Sequence, residues 1–216
     1  MNRLLETKQA VIKAGRTMFS SGLVVGTWGN LSARVPDTDT FVITPSGRNY
    51  LDLKPDDLVV MDLDGQVVSG TLKPSSEFHL HLLLYRARTE VGSVVHTHSM
   101  YASAHAVARR TIPVNVEDLA MIVGGEVRVA PYALAGTEEL AENAVKSMQD
   151  SWAVLLANHG VVGVGRDIEE AMLVCQIVEK SAKINLAAQA LGQAYVIDNA
   201  HVKTLRDKYL FHYGQK

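Results

Sequence analysis

The residues best placed to do chemistry are His96 and His98, one threonine apart in Val94-Val95-His96-Thr97-His98. Val94 and Val95 are apolar and β-branched, so residues 91 to 98 read as a strand. On a strand, residues i and i+2 point to the same face, with roots about 7 Å apart. Two imidazoles placed in this way can converge on one ion. A third stands in Ala157-Asn158-His159-Gly160, at the end of the apolar run Val154-Leu155-Leu156. Three histidines and an open position make a catalytic metal site. Imidazole suits zinc and other divalent transition metals alike. Spacing alone leaves plainer readings open: His-x-His occurs on strands without metal, and a histidine before glycine also suits a turn.

The other histidines lack this geometry. His79 and His81 fall in a helical pattern, where i and i+2 lie about 200° apart and cannot share an ion. They read as structural or surface residues. His105, His201 and His212 have no partner at ligand spacing and read as structural. Other segments suit an anion. Ser75 and Ser76 should open a helix, where free amides and the dipole favour negative charge. Gly29-Asn30 and Ser46-Gly47 are small polar pairs that let a backbone approach closely. Thr27 and Thr44 are lesser candidates. Each pair also suits a turn or cap, and Glu77 also reads as a first-turn acid favoured by the helix dipole.

The elements that must position these groups follow from periodicity. Residues 5–20 form an amphipathic helix, with Gly22 as its stop. Strands are expected at 29–35 and 41–44, joined through Asp37-Thr38-Asp39, and a hairpin at 58–69 around Asp64-Gly65. A helix should start near Ser75 and run to Ala87. After the 91–98 strand come a helix from Met100 to Ala108, a strand from Val127 to Ala130, and a helix capped by Thr137. Trp152 to Ala157 is another strand. Gly160 and Gly163 mark a turn and a close approach of backbones. Asp167 to Glu170 has the form of a capping box opening a helix to about Leu191. Strands mix with helices around a hairpin, so a three-layer mixed α/β domain fits better than alternating βαβ units. One continuous core over residues 1–216 is the simplest organisation.

Composition narrows the function. A net charge of -2, with no basic stripe, argues against nucleic acid. No run approaches the roughly 20 apolar residues of a membrane span, and Met1 to Ala14 lacks the apolar core of a signal peptide. The cytoplasm is the expected compartment. The single cysteine, Cys175, lies in an apolar helical pattern and reads as a packing residue.

Five motifs occur in one order: Gly26-Thr27-Trp28-Gly29-Asn30-Leu31-Ser32, Ile43-Thr44-Pro45-Ser46-Gly47, Pro74-Ser75-Ser76-Glu77, Val95-His96-Thr97-His98 and Asn158-His159-Gly160. Together they resemble the class II aldolase and adducin-head family, nearest its fuculose-phosphate aldolases, over almost the whole chain. The resemblance implies a three-layer α/β/α sandwich with a mixed, largely antiparallel sheet. It implies Zn2+ on His96, His98 and His159, with Glu77 as acid/base and a further ligand. It also implies phosphate contacts from Gly29, Asn30, Ser46, Gly47, Ser75 and Ser76. The reaction would be cleavage of a ketose 1-phosphate, a small-molecule sugar phosphate, to dihydroxyacetone phosphate and an aldehyde through a zinc-stabilised enediolate. The assembly would be a homotetramer with active sites between subunits.

The chain departs from that pattern at one place. The fuculose-phosphate enzymes carry a tyrosine for the leaving-oxygen proton after the metal pair. Counting from Ile112-Pro113, this chain has Glu117 there. A carboxylic acid of raised pKa can move the same proton, and a glutamate here is similar to the family's methylthioribulose-1-phosphate dehydratases. Tyr213 resembles a second family tyrosine that closes the site. Ribulose-5-phosphate 4-epimerase chemistry, and the non-catalytic role of the adducin heads, are the other readings. Retention of three histidines and Glu77 argues against the last.

Overall fold

A computed structural model describes residues 3–213. Its first helix, α1, spans Arg3–Ser20 and buries Val11, Ala14 and Met18 on one stripe. Gly22 then takes a left-handed backbone and ends the segment. Strands β1 (Asn30–Arg34), β2 (Thr40–Ile43), β3 (Val59–Asp62) and β4 (Val67–Ser69) follow. Helix α2 (Phe78–Ala87) leads to β5 (Ser93–Thr97) and α3 (Met100–Ala108). Then come α4 (Glu117–Ile122), β6 (Val129–Ala130), α5 (Glu138–Met148), β7 (Ala153–Leu156) and β8 (Gly160–Gly165). Helices α6 (Ile168–Leu191) and α7 (Asn199–His212) complete the chain.

Among the described residues the strands form one eight-stranded sheet in the order β4-β3-β2-β1-β5-β8-β7-β6. Every pairing is antiparallel except β6 with β7. The mixed, largely antiparallel three-layer sandwich is therefore present. Alternation along the central strands sets its two faces. Leu31, Val42, Val60 and Val95 share one core with Val11 and Met18 of α1 and Ala171 and Cys175 of α6. Phe41, Ile43 and Val94 belong to the other core, with Leu80 and Leu84 of α2 and Leu140 of α5. No helix among the described residues is long and apolar enough to cross a membrane.

The structure corrects several expectations. Ser75 and Ser76 do not open α2; the helix begins at Phe78 and Glu77 is its N-cap, not a first-turn acid. Gly160 and Gly163 do not lie in a turn. The turn is at 157–159, and both glycines belong to β8. Glycine is a weak strand former, which hid the strand. The capping box of α6 is half built: Asp167 accepts from the Glu170 amide, but Glu170 pairs with Arg166 instead. Helices α4 and α7 carry weak periodicity and were not expected.

The close approach at Gly163 is real. A Cβ there would meet Cys175 Sγ at 2.7 Å and Val174 Cγ1 at 2.9 Å. Cys175 is buried, donates to the Val95 carbonyl at 3.4 Å, and burial pushes its thiol up to about 12. It packs α6 onto the sheet, as its sequence context implied. Gly163→Val should lower stability by about 1–3 kcal/mol through overpacking, measured as a lower urea midpoint.

Candidate metal centre and anion cleft

Four side chains from three segments meet on the α2 face of the sheet: Glu77, His96, His98 and His159. One ligand atom from each lies within 4.8 Å of all the others. His96 Nε2 is 2.9 Å from His98 Nε2, 3.2 Å from His159 Nε2 and 3.3 Å from Glu77 Oε2. His159 Nε2 is 3.5 Å from Glu77 Oε1.

Local structure brings each group to this point. Antiparallel pairing sets Asn30 opposite His96, and His96 opposite Val162. His96 Nδ1–H donates to the Val161 carbonyl at 3.0 Å, which leaves Nε2 facing the cluster. His98 lies just past the end of β5, held by its amide on the Leu23 carbonyl at 3.1 Å. The Trp28 ring lies 5.7 Å from its imidazole. His159 sits on the turn between β7 and β8, its amide on the Leu156 carbonyl. Arg109 donates to the Asn158 side chain in that same turn. A Cβ at Gly160 would lie 2.3 Å from the Thr97 carbonyl oxygen and against both His96 and His98. Only glycine leaves the histidines room.

The donor set fits a divalent cation. Burial pushes the Glu77 carboxyl up, but His96, His159 and the Asn30 amide outweigh it and hold it well below the usual carboxylate range. Glu77 Oε2 accepts from Asn30 Nδ2 at 2.9 Å, whereas Oε1 is buried without a hydrogen-bond partner. Burial, together with His96, pushes His98 down to about 3 and His159 to about 4. At neutral pH both rings therefore offer lone pairs rather than positive charge. A cluster of imidazole nitrogens around a carboxylate oxygen with no partner is what zinc and similar ions bind.

Beside these groups lies a cleft of about 250 Å³, lined by Thr27, Gly29, Asn30, Ser46, Gly47, Ser75, Ser76, Glu77 and His159. It thus joins all three segments read as anion contacts to two of the metal-ligating candidates. A bridge between Pro45 and Pro74 ties two of those segments together. The Ser46 amide is taken by the Lys73 carbonyl, and the Ser75 amide by Thr44. Contacts from these two residues must therefore come from their hydroxyls. Ser75 Oγ accepts from the Glu77 amide at 3.3 Å and keeps its own proton to donate. Thr44 is buried, and its hydroxyl accepts from the Leu31 amide. A larger recess of about 650 Å³ near Arg16 and Arg48 holds none of the metal-ligating candidates.

Two candidates lie elsewhere. Glu117 is exposed in the first turn of α4, and Tyr213 is exposed with its ring on Tyr209. Neither lines the cleft. One residue read as merely structural or surface is joined to the site: His81 is buried and bonds Asn30. No ligand spacing marked it. His79 Nδ1 lies 3.3 Å from the Gly136 carbonyl oxygen, away from the cluster's ligand atoms.

Known proteins resemble this chain in sequence and in fold. The family described as Class II Aldolase and Adducin N-terminal domain matches residues 9–186. A 5-deoxy-D-ribulose 1-phosphate aldolase from Bacillus thuringiensis serovar kurstaki is 38% identical over 213 residues, 99% of each chain. A 5-methylthioribulose-1-phosphate/5-deoxyribulose-1-phosphate aldolase from Rhodospirillum rubrum is 39% identical over 176 residues, 82% of this chain and 78% of its own. A solved L-fuculose 1-phosphate aldolase superposes with a TM-score of 0.92 at 38% identity, covering 95% of this chain and 97% of that one.

The buried rings make metal-free stability pH-dependent. His98, His159 and His81 lie below their ordinary 6.5 when folded, burial being the main cause. The unfolded chain therefore binds more protons as pH falls below 6.5, and stability drops. Glu77 acts in the same sense, since its stabilisation is present above 4.5 and is lost on acidification. The urea midpoint of metal-stripped protein should fall steadily from pH 7.5 to pH 5. A flat profile would refute the buried, uncharged state of these rings.

Proposed function

The chain belongs to the class II aldolase and adducin N-terminal domain family, and from that footing we propose a metal-dependent ketose 1-phosphate aldolase. Its products are dihydroxyacetone phosphate and an aldehyde. The preferred substrate is of the 5-deoxyribulose 1-phosphate kind, supported by the name of a relative aligned over almost the full length of both chains. A fuculose 1-phosphate comes next, on the likeness to a solved aldolase named for it. The observation that carries the reading is the convergence of Glu77, His96, His98 and His159 beside a cleft lined with serines and glycines.

His96, His98, His159 and Glu77 would hold the ion, with Zn2+ preferred for its match to imidazole ligands. When bound, it supplies Lewis-acid neutralisation of the charge that develops on the substrate oxygens. The chain's own residues do the rest. Ser46, Ser75 and Ser76 donate to the phosphate, with Gly29, Asn30 and Gly47 shaping a wall without bulk. The cleft is smaller than the roughly 300–1,000 Å³ of sites for drug-sized ligands, which suits a small polar substrate.

In cleavage, the hydroxyl next to the scissile bond loses its proton as that bond breaks. Its electron pair forms the aldehyde carbonyl, and the bonding pair passes to the carbon beside the ketone. Glu77, after taking up a proton from solvent, delivers it to that carbon, and in the reverse direction its carboxylate removes it. We assign the hydroxyl proton to Glu117 and closure of the site to Tyr213. Both are exposed and away from the cleft in one chain, which suits donation from a neighbouring subunit of a homotetramer. A cytoplasmic location belongs to the same reading.

Incubation with a panel of ketose phosphates tests it, with dihydroxyacetone phosphate as the expected product. An epimer or a dehydrated diketone alone would overturn the aldolase assignment. Glu77→Gln should retain measurable metal while kcat falls by about 10²–10⁴-fold. His96→Ala should lose the metal, read by elemental analysis after dialysis. Near-normal turnover in Glu77→Gln would remove Glu77 from the acid/base role.

A further inference from the structure

Behind Glu77 a file of buried side chains runs away from the cleft. Asn30 Nδ2 donates to Glu77 Oε2 at 2.9 Å, and His81 Nε2 lies 2.5 Å from Asn30 Oδ1. Ser32 Oγ lies 2.6 Å from His81 Nδ1 and 2.7 Å from the Tyr85 hydroxyl. Asn30, Ser32, His81 and Tyr85 are all buried. His81 and Tyr85 are one helical turn apart on α2, and Asn30 and Ser32 share one face of β1.

Chemistry fixes the direction of every bond in the file. An ionised carboxylate only accepts, so Asn30 must turn its NH2 to Glu77. Its carbonyl oxygen then faces His81, which must carry its proton on Nε2. Burial pushes this ring down to about 3, so Nδ1 is bare at neutral pH and accepts from Ser32. The Ser32 oxygen is then left to accept from Tyr85. Flipping the Asn30 amide would set oxygen against carboxylate and NH2 against N–H, and both bonds would be lost.

We propose that His81 is a positioning residue: through Asn30 it pins Glu77 Oε2 beside His96, and so sets the direction in which Oε1, 3.5 Å from His159, faces the metal and the transferred proton. The proposal rests on the role assigned to Glu77 above. The two oxygens are held unequally, since Oε2 accepts from Asn30 and lies 3.3 Å from His96, whereas Oε1 has no hydrogen-bond partner. It also gives Asn30 a role beyond the phosphate wall.

The test has two arms. Long-range 1H–15N spectra of the metal-free protein should place the His81 proton on Nε2, and a proton on Nδ1 would overturn the proposal. In the second arm, zinc is titrated into metal-stripped variants, and kcat and KM are measured with 5-deoxy-D-ribulose 1-phosphate. His81→Leu keeps the bulk but not the donor. Its zinc affinity and kcat should each fall about 10–100-fold, with KM little changed. His81→Gln, which keeps an N–H for Asn30, should recover most of both. Ser32→Ala should fall between, and it carries this arm if His81→Leu does not fold. Wild-type values in His81→Leu, or a raised KM with kcat intact, would overturn the positioning role. A wild-type protein that neither binds zinc nor cleaves the substrate would remove the functional reading instead. The proton position would then decide on the file itself.

Discussion

A negative charge held almost out of water beside three imidazoles is the constraint around which this molecule is arranged. Removing a carboxylate from water costs several kcal/mol unless partners replace the lost hydration. At Glu77 those partners, Asn30, His96 and His159, come from two strands and a turn that are far apart in the chain. The sheet must therefore be complete before the charge can be tolerated. The register that sets Asn30 and Val162 on either side of His96 is what makes the cluster possible. The apolar residues around it, Val94, Val95, Val154 and Leu155, are fully buried and keep that register from slipping.

Much of this was legible in the sequence because it depends on local rules. Period-two spacing put His96 and His98 on one face, and the apolar run Val154-Leu155-Leu156 put His159 at the end of another strand. The hairpin at Asp64-Gly65 and the Thr137 cap follow from turn and capping chemistry alone. Spacing could not choose between a metal site and ordinary histidines. That step needed five motifs in order, and then the meeting of four donors in space. The anion segments are a similar case. Each pair suits a turn when read alone, and only the cleft joins them.

What the sequence concealed was of two kinds. Strand β8 was hidden by three glycines, Gly160, Gly163 and Gly165, whose value lies in what they leave empty rather than in any strand preference. Helix α4 has only six residues, too few to show a period, and among the residues of α7 only Val202 is buried. His81 was concealed differently. At helical spacing from His79 it has no ligand geometry, and its partners lie on a strand some fifty residues earlier. Only tertiary contact distinguishes a histidine that fills space from one that orders a neighbour.

The start of α2 records a choice between two kinds of fitness. Helices α5, α6 and α7 each begin with a side chain that takes one of the helix's own amides: Thr137, Asp167 and Asp198. At Glu77 the cap residue does no such thing, because its carboxylate is turned to the histidines. Selection for stability alone favours serine, threonine, asparagine or aspartate at that position, a difference of about 1 kcal/mol. A lineage released from the need to turn over substrate would therefore drift toward a better-capped α2 and lose its chemistry there first. Position 77 is thus a marker for telling working relatives of this fold from those that retain only its scaffold.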